Sequence, residues 1–200
     1  MCHYPLFETL AVNNGKFQQL TYHQARVNSS FTHFFKCDTT LNLAEIPIPM
    51  EYSQGFYRCR IDYNTEGYQI GFYTYTPKKI TRFACVNTEN LDYQFKYSDR
   101  KRLEKLKNLQ SDEVIIINNG FVSDCTIGNL LFLKNGRWYS PMHYLLKGTQ
   151  LAALLDQKQV ELVMISAENL FDYEKIMLIN ALNPFDERRA IPIASGIIWQ

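Results

Sequence analysis

The stretch FKYSDRKRL, residues 95–103, sets one lysine between two aromatic side chains, just before a run of alternating charge. Lys101, Lys105 and Lys107 read as ordinary solvated positions. Lys96 does not. An amine becomes nucleophilic where apolar surroundings or a neighbouring cation disfavour its protonated form, and that adjustable basicity suits lysine to covalent imine chemistry. The same placement also suits a surface lysine whose stem lies on the rings while its head stays in water. The sequence on either side decides between the two.

Upstream, LFETLAV and KFQQL flank NNG, a hairpin signal because Asn and Gly tolerate positive φ. TYHQARVNSSFTHFF then has the apolar spacing of a helix. GFYRCRIDYN, YQIGFYTYT and KITRFACVN are three alternating, aromatic or β-branched runs separated by turn residues. These predict a sheet with a covering helix over residues 1–87. NTENLDYQ is polar and aperiodic, and residues 88–94 read as a linker.

Downstream, Ser98 or Asp99 is placed to cap a helix in which Leu103, Leu106 and Leu109 recur. EVIII, the turn NNG, FVSD, the loop CTIGN, LLFLK, NG and RWYSP predict a β-meander with a loop between two buried strands. LLKGTQLAALL turns into a helix at a Lys-Gly corner, leaving amides available to an anion. VELVMI and KIMLINAL are further strands, joined by a short helix around AENLFDYE. The expected fold is α+β: two small units, 1–87 and 95–200, with a cleft between them.

Composition narrows the partners. With 21 basic and 20 acidic residues the net charge is +1, so no broad cationic field suits nucleic acid or an anionic membrane. Apolar runs such as VIII and LLFL are too short to span a bilayer, and MCHYPLFETL lacks the pattern of a signal peptide. Five scattered cysteines, Cys2, Cys37, Cys59, Cys85 and Cys125, read as reduced thiols of a cytoplasmic protein. His3, His23, His33 and His143 lack metal-ligand spacing, so no metal site is expected.

Several residues stand out beside Lys96. Asp124, in a loop after a strand, could keep a heteroaromatic nitrogen protonated, as pyridoxal chemistry requires, or be a turn residue. Arg26 in HQAR could grip a phosphate or be a solvated helix residue, and Gly148 with Thr149 could add backbone amides. Arg58 and Arg60 lie two apart on one strand and so face the same way. They suit a substrate with carboxylates, or an ordinary charged edge.

Taken in order, these segments resemble class IV aminotransferases, the fold-type IV family of pyridoxal-phosphate enzymes. That family includes branched-chain and D-amino acid aminotransferases and 4-amino-4-deoxychorismate lyases. LFETLAV is similar to its Phe-centred strand, and HQARV to its His-x-x-Arg motif, which implies Arg26 as a phosphate ligand. FYRCR resembles the strand that carries a basic residue to the substrate, best matched by Arg58, with Arg60 beside it. KYSDR is similar to the lyase-type Lys-x-x-Asn-Arg run and implies Lys96 as the lysine that bonds the cofactor. VSDCTIGNLLF implies Asp124 as partner of the ring nitrogen. LLKGTQ implies phosphate contacts from Gly148, Thr149 and Gln150, and INAL implies them from Asn180 and Ala181.

Two positions depart from the pattern. Asp124 stands where the family usually has glutamate, which shortens its reach by about 1.5 Å, and Asp99 stands where the lyase-type run has asparagine. The resemblance implies pyridoxal 5'-phosphate as cofactor, a homodimer, and a small amino substrate. It implies a lyase that cleaves 4-amino-4-deoxychorismate to 4-aminobenzoate and pyruvate, an amino-acid aminotransferase, or a shortened non-catalytic binding protein.

Overall fold

The turn at Asn14 and Gly15, with φ of 48° and 71°, closes a hairpin between β1 (Leu6–Asn13) and β2 (Lys16–Phe17). This hairpin belongs to a computed structural model that describes residues 3–107 and 109–198. The chain divides into two compact units, Met1–Pro77 with Phe95–Asp99, and Lys78–Gln94 with Arg100–Gln200.

In the first unit, α1 (Leu20–Ser30) follows the hairpin and runs into a π-helical turn, Phe31–Phe35. β3 (Phe56–Tyr63) and β4 (Tyr68–Thr74) complete an antiparallel sheet in the order β2-β1-β3-β4. Leu6, Leu10 and Val12 alternate onto one sheet face and share a core with Val27, Phe31, Cys59, Ile61 and Tyr63. Phe31 and Tyr63 stack with ring centroids 6.0 Å apart. Residues 95–98 return to this unit beside β1: the Phe7 amide donates to the Lys96 carbonyl and the Ser98 amide to that of Pro5.

The second unit holds two sheets. β5 (Phe83–Thr88) pairs in parallel with β6 (Glu113–Asn118), separated in sequence by α2 (Lys101–Glu104), and β7 (Phe121–Val122) closes a hairpin on β6. β8 (Asn129–Lys134) and β9 (Arg137–Pro141) form the next hairpin, followed by α3 (Thr149–Asp156) and β10 (Val160–Val163). β11 (Lys175–Ile179), β12 (Ile191–Pro192), α4 (Ile193–Gly196) and β13 (Ile197–Ile198) end the described chain. The sheet orders are β13-β5-β6-β7 and β10-β9-β8-β11-β12. Alternation sets the layers: Leu130, Phe132, Ile176 and Leu178 meet β5 and β6 in one core. Leu131, Met177 and Ile179 point the other way, into a core with Leu151 and Leu154 of α3.

Four expectations are corrected. The strand run ending at residue 87 belongs to the second unit, because β5 hydrogen-bonds to β6 and β13. Alternation identifies a strand but not its partner. The expected linker 88–94 is folded: Leu91 and Tyr93 are buried, and Asn118 brackets Leu91 through Leu91 N–H to Oδ1 at 3.1 Å and Nδ2–H to Leu91 O at 3.3 Å. The boundary falls instead at Pro77, with residues 95–99 recrossing it. The expected meander is two hairpins in different sheets. The helix after residue 100 lasts only Lys101–Glu104, its N-cap Arg100 has no side-chain cap bond, and Leu109 is exposed.

Cys37, Cys59, Cys85 and Cys125 are free thiols; Cys2 lies outside the described residues. Among the described residues no helix is long and apolar enough to cross a membrane.

Candidate active site

Lys96 owes its placement to strand alternation. Tyr97 bridges Leu6 at the start of β1, so Phe95 and Tyr97 turn one way and Lys96 the other. The two rings pack on Phe34, at centroid distances of 5.3 and 6.0 Å. The Lys96 amine lies 4.9 Å from the centroid of Phe7. The aromatic neighbours that drew attention to this lysine anchor its backbone, and a third ring meets its amine.

Phe7 also meets Arg60, whose Cζ is 3.9 Å from the same ring centroid. The β1–β3 register places Asp62 opposite Phe7, Arg60 opposite Thr9 and Arg58 opposite Ala11, so all six share a sheet face. The two arginines are not equivalent. Arg60 grips Asp62 through Nε at 2.7 Å and through Nη2, and Ser98 Oγ–H also donates to Asp62, at 3.3 Å. Arg58 has no carboxylate partner among the described residues. Its Nε is buried without a hydrogen-bond partner, and its Cζ lies 4.7 Å from the Tyr73 ring centroid.

The opposite face of β1 carries a charged cluster that sequence reasoning missed. Glu8 is fully buried between Leu6 and Leu10. Arg26 donates to it from Nε at 2.7 Å and Nη2 at 2.6 Å, and His23 Nδ1 lies 2.7 Å from Oε2. Burial alone would raise the Glu8 pKa, but Arg26 and His23 outweigh it and hold the carboxyl at about 2. Burial, aided by Arg26 and Lys96, lowers the His23 pKa against the pull of Glu8. Neutral His23 therefore donates its Nδ1–H to the carboxylate. The signal was a glutamate at the apolar phase of an alternating strand, with His23 and Arg26 one helical turn apart. Arg26, expected at a phosphate, is thus oriented by Glu8.

In the second unit Asp124 is buried. Its Oδ1 accepts from Asn129 Nδ2 at 2.7 Å, and its Oδ2 accepts from the amides of Leu145 and Leu146, both at 3.0 Å. Asn129 goes on to donate to the Leu146 carbonyl and to accept from the Gly148 amide at 3.0 Å. A side chain at Gly148 would collide with Asn129 Oδ1, which is why this corner carries glycine. The Gly148 amide, expected at a phosphate, is engaged by Asn129. Thr149 and Gln150 follow, both buried, in the first turn of α3.

Asn180 organises the remaining turn. Its Oδ1 accepts from the amides of Leu182 and Asn183, both at 2.9 Å, and its Nδ2 donates to the Ile127 carbonyl at 3.1 Å. Ala181 lies inside that turn. A Cβ at Gly128 would strike the Ile179 carbonyl, so glycine there lets the CTIGN loop close on the end of β11. Asp124, Gly148 and Asn180 are thereby tied into one loop cluster through Asn129 and residues 127–128.

Comparison with known proteins agrees with this architecture. The family model for amino-transferase class IV matches residues 75–194. An uncharacterized protein of Haemophilus influenzae is 38% identical over 187 residues, covering 90% of this chain and 98% of that one. The crystal structure of a candidate 4-amino-4-deoxychorismate lyase from Haemophilus somnus 129pt is 37% identical with a TM-score of 0.81, covering 92% of this chain and 100% of its own. A candidate amino-acid aminotransferase from Mesorhizobium loti shares the fold, with 23% identity, a TM-score of 0.79 and coverage of 98% and 99%. The chain belongs to the class IV aminotransferase family. Its members are pyridoxal-phosphate-dependent enzymes of aminotransferase and lyase type that act on small amino substrates.

Proposed function

We propose that this enzyme is a lyase that converts 4-amino-4-deoxychorismate to 4-aminobenzoate and pyruvate, for folate synthesis in the cytoplasm, and that it works as a homodimer. The observation that carries this reading is the 37% identity, over 92% of the chain, to the candidate lyase from Haemophilus somnus. The lyase-type KYSDR run and the position of Lys96 support it.

The residues fit pyridoxal 5'-phosphate. Lys96 supplies the amine and Asp124 a buried carboxylate that accepts from Asn129 and from the Leu145 and Leu146 amides, while the buried, unpartnered Nε of Arg58 suits an anionic substrate group. When bound, the cofactor supplies an electron sink for the carbon that bears the substrate amine. Lys96 would hold the cofactor covalently, then take the proton from that carbon and pass it to the departing enolpyruvyl group, which leaves as pyruvate. The pair left by that proton would form the last ring double bond as the neighbouring carbon–oxygen bond to the enolpyruvyl group breaks, leaving the aromatic product. Asp124 would face the ring nitrogen. Arg26, Thr149 and Gln150 beyond the Gly148 corner, and the turn at Asn180 and Ala181 would serve the phosphate, with the Gly148 amide kept by Asn129. Arg58 would hold a substrate carboxylate. Arg60, expected to help, is committed to Asp62 and would act by lining the face.

A lyase needs one amino substrate and no acceptor. Incubation with 4-amino-4-deoxychorismate alone should release 4-aminobenzoate, followed by its fluorescence, and an equal amount of pyruvate. If turnover instead requires 2-oxoglutarate and yields glutamate, the enzyme is an aminotransferase and the lyase reading is wrong.

A further inference from the structure

Arg58 and Tyr73 stand opposite each other on β3 and β4, and β4 is the edge strand of its sheet. The Tyr73 ring does not project away from the sheet. It folds back along its own strand over Gly71, where an added Cβ would lie 2.5 Å from the tyrosine oxygen and 2.9 Å from ring carbons. Glycine at position 71 is what lets the ring lie down. In that pose it faces the Arg58 guanidinium at 4.7 Å, and Arg58 Nε is buried with no acceptor.

Two further facts separate a cover from a fixed packing contact. Tyr73 is 47% exposed, so it is free to swing outward, and no hydrogen bond holds its hydroxyl among the described residues. A ring face attracts a guanidinium, but it cannot accept from the in-plane Nε–H as an oxygen does. A carboxylate can accept from Nε and Nη2 together, the side-on geometry that Asp62 already makes with Arg60.

We propose that Tyr73 is a movable cover over Arg58, and that one substrate carboxylate displaces it. Arg58 is then the carboxylate receptor of this face, because the side-on fork of Arg60, Nε with Nη2, is already taken by Asp62. The proposal rests on the reading of this face as the substrate side of the enzyme. It adds a specificity rule: an amino substrate is gripped here by one carboxylate, and a second must be recognised elsewhere.

The test is a calorimetric titration of the purified full chain with benzoate, a minimal aromatic monocarboxylate. Because the cover competes with the ligand, Tyr73→Ala should tighten benzoate binding by about two- to fivefold, the range of a cation–π contact at an exposed site. Gly71→Ala, which pushes the ring off the sheet, should tighten it similarly. Tyr73→Phe should match the native chain, because the ring and not the hydroxyl is the cover. Arg58→Ala should abolish binding. In turnover, Tyr73→Ala should lower KM at unchanged kcat, a split that loss of mere packing does not produce. Weaker or unchanged benzoate binding in Tyr73→Ala, or no benzoate binding by the native chain, overturns the proposal. The titration needs no added cofactor, so it is independent of whether Lys96 bonds one, and the two readings fail separately.

Discussion

Replacing Lys96 with alanine is expected to lower turnover by about 10⁴-fold or more, because it removes the group proposed both to anchor the cofactor and to transfer the proton. The fold should survive. The structural duty of residue 96 is its backbone carbonyl, which accepts from the Phe7 amide at 3.0 Å, and alanine keeps that bond. The side chain adds a cation–ring contact with Phe7, worth about 1 kcal/mol or less at a site of this kind. The variant should therefore unfold within about 1 kcal/mol of the native chain while losing its activity. Urea unfolding followed by circular dichroism, beside a turnover assay, measures both. Turnover within tenfold of native would remove Lys96 from the mechanism.

The second large effect concerns stability. Glu8→Gln takes the charge from a fully buried carboxylate that two partners converge on. Arg26 would be left with a neutral acceptor at a site where its side chain is only 14% exposed. Breaking a buried pair from one side costs about 3–5 kcal/mol, which for a chain of this size lowers the melting temperature by roughly 10 °C. A melting temperature within 2 °C or so of native would show that the cluster is not under this constraint.

The pH dependence follows from the same residues. The Glu8 carboxyl titrates near 4.5 in the unfolded chain and at about 2 in the fold. Its contribution, about 3 kcal/mol, is complete above pH 4.5 and is lost as pH falls toward 2. His23 is also lowered, from 6.5, so the unfolded chain takes up its proton first and stability begins to decline below that value. Both groups weaken the fold toward acid. In Glu8→Gln the decline below pH 4.5 should flatten, which urea midpoints measured between pH 7 and 3 would show.

Much of the fold was legible because its signals are local. The NNG turns, the alternating runs and the Gly-led start of α3 each depend on residues adjacent in sequence, and the structure has them where the pattern predicts. The unit boundary was not legible, because the KITRFACVN strand alternates in the same way whichever sheet it joins. Its membership was decided by parallel pairing with β6, a contact between segments about thirty residues apart. The short α2 shows the same limit. Leucine spacing allowed a longer helix, but nothing capped its start and only Leu103 of the three leucines is buried.

The candidate site was legible to the extent that its residues sit in short motifs. HQAR, KYSDR and VSDCTIGN could be read in order, and their order led to the family. The partners of those residues were not legible. Glu8 orients Arg26 from a strand fifteen residues or more away, and Asn129 joins Asp124 to Gly148 through side-chain bonds. The pairing of Arg60 with Asp62 changed the meaning of two arginines that looked alike in sequence. Spacing shows which way a side chain points, but whether its charge is already satisfied depends on what the fold brings to it.

The most direct test of the central claim is chemical. The purified enzyme, supplied with pyridoxal 5'-phosphate and reduced with borohydride, should carry one cofactor per chain fixed to a lysine. Peptide mass mapping should place it on Lys96, in the FKYSDR segment. A cofactor fixed to any other lysine, or none fixed at all, would contradict the account.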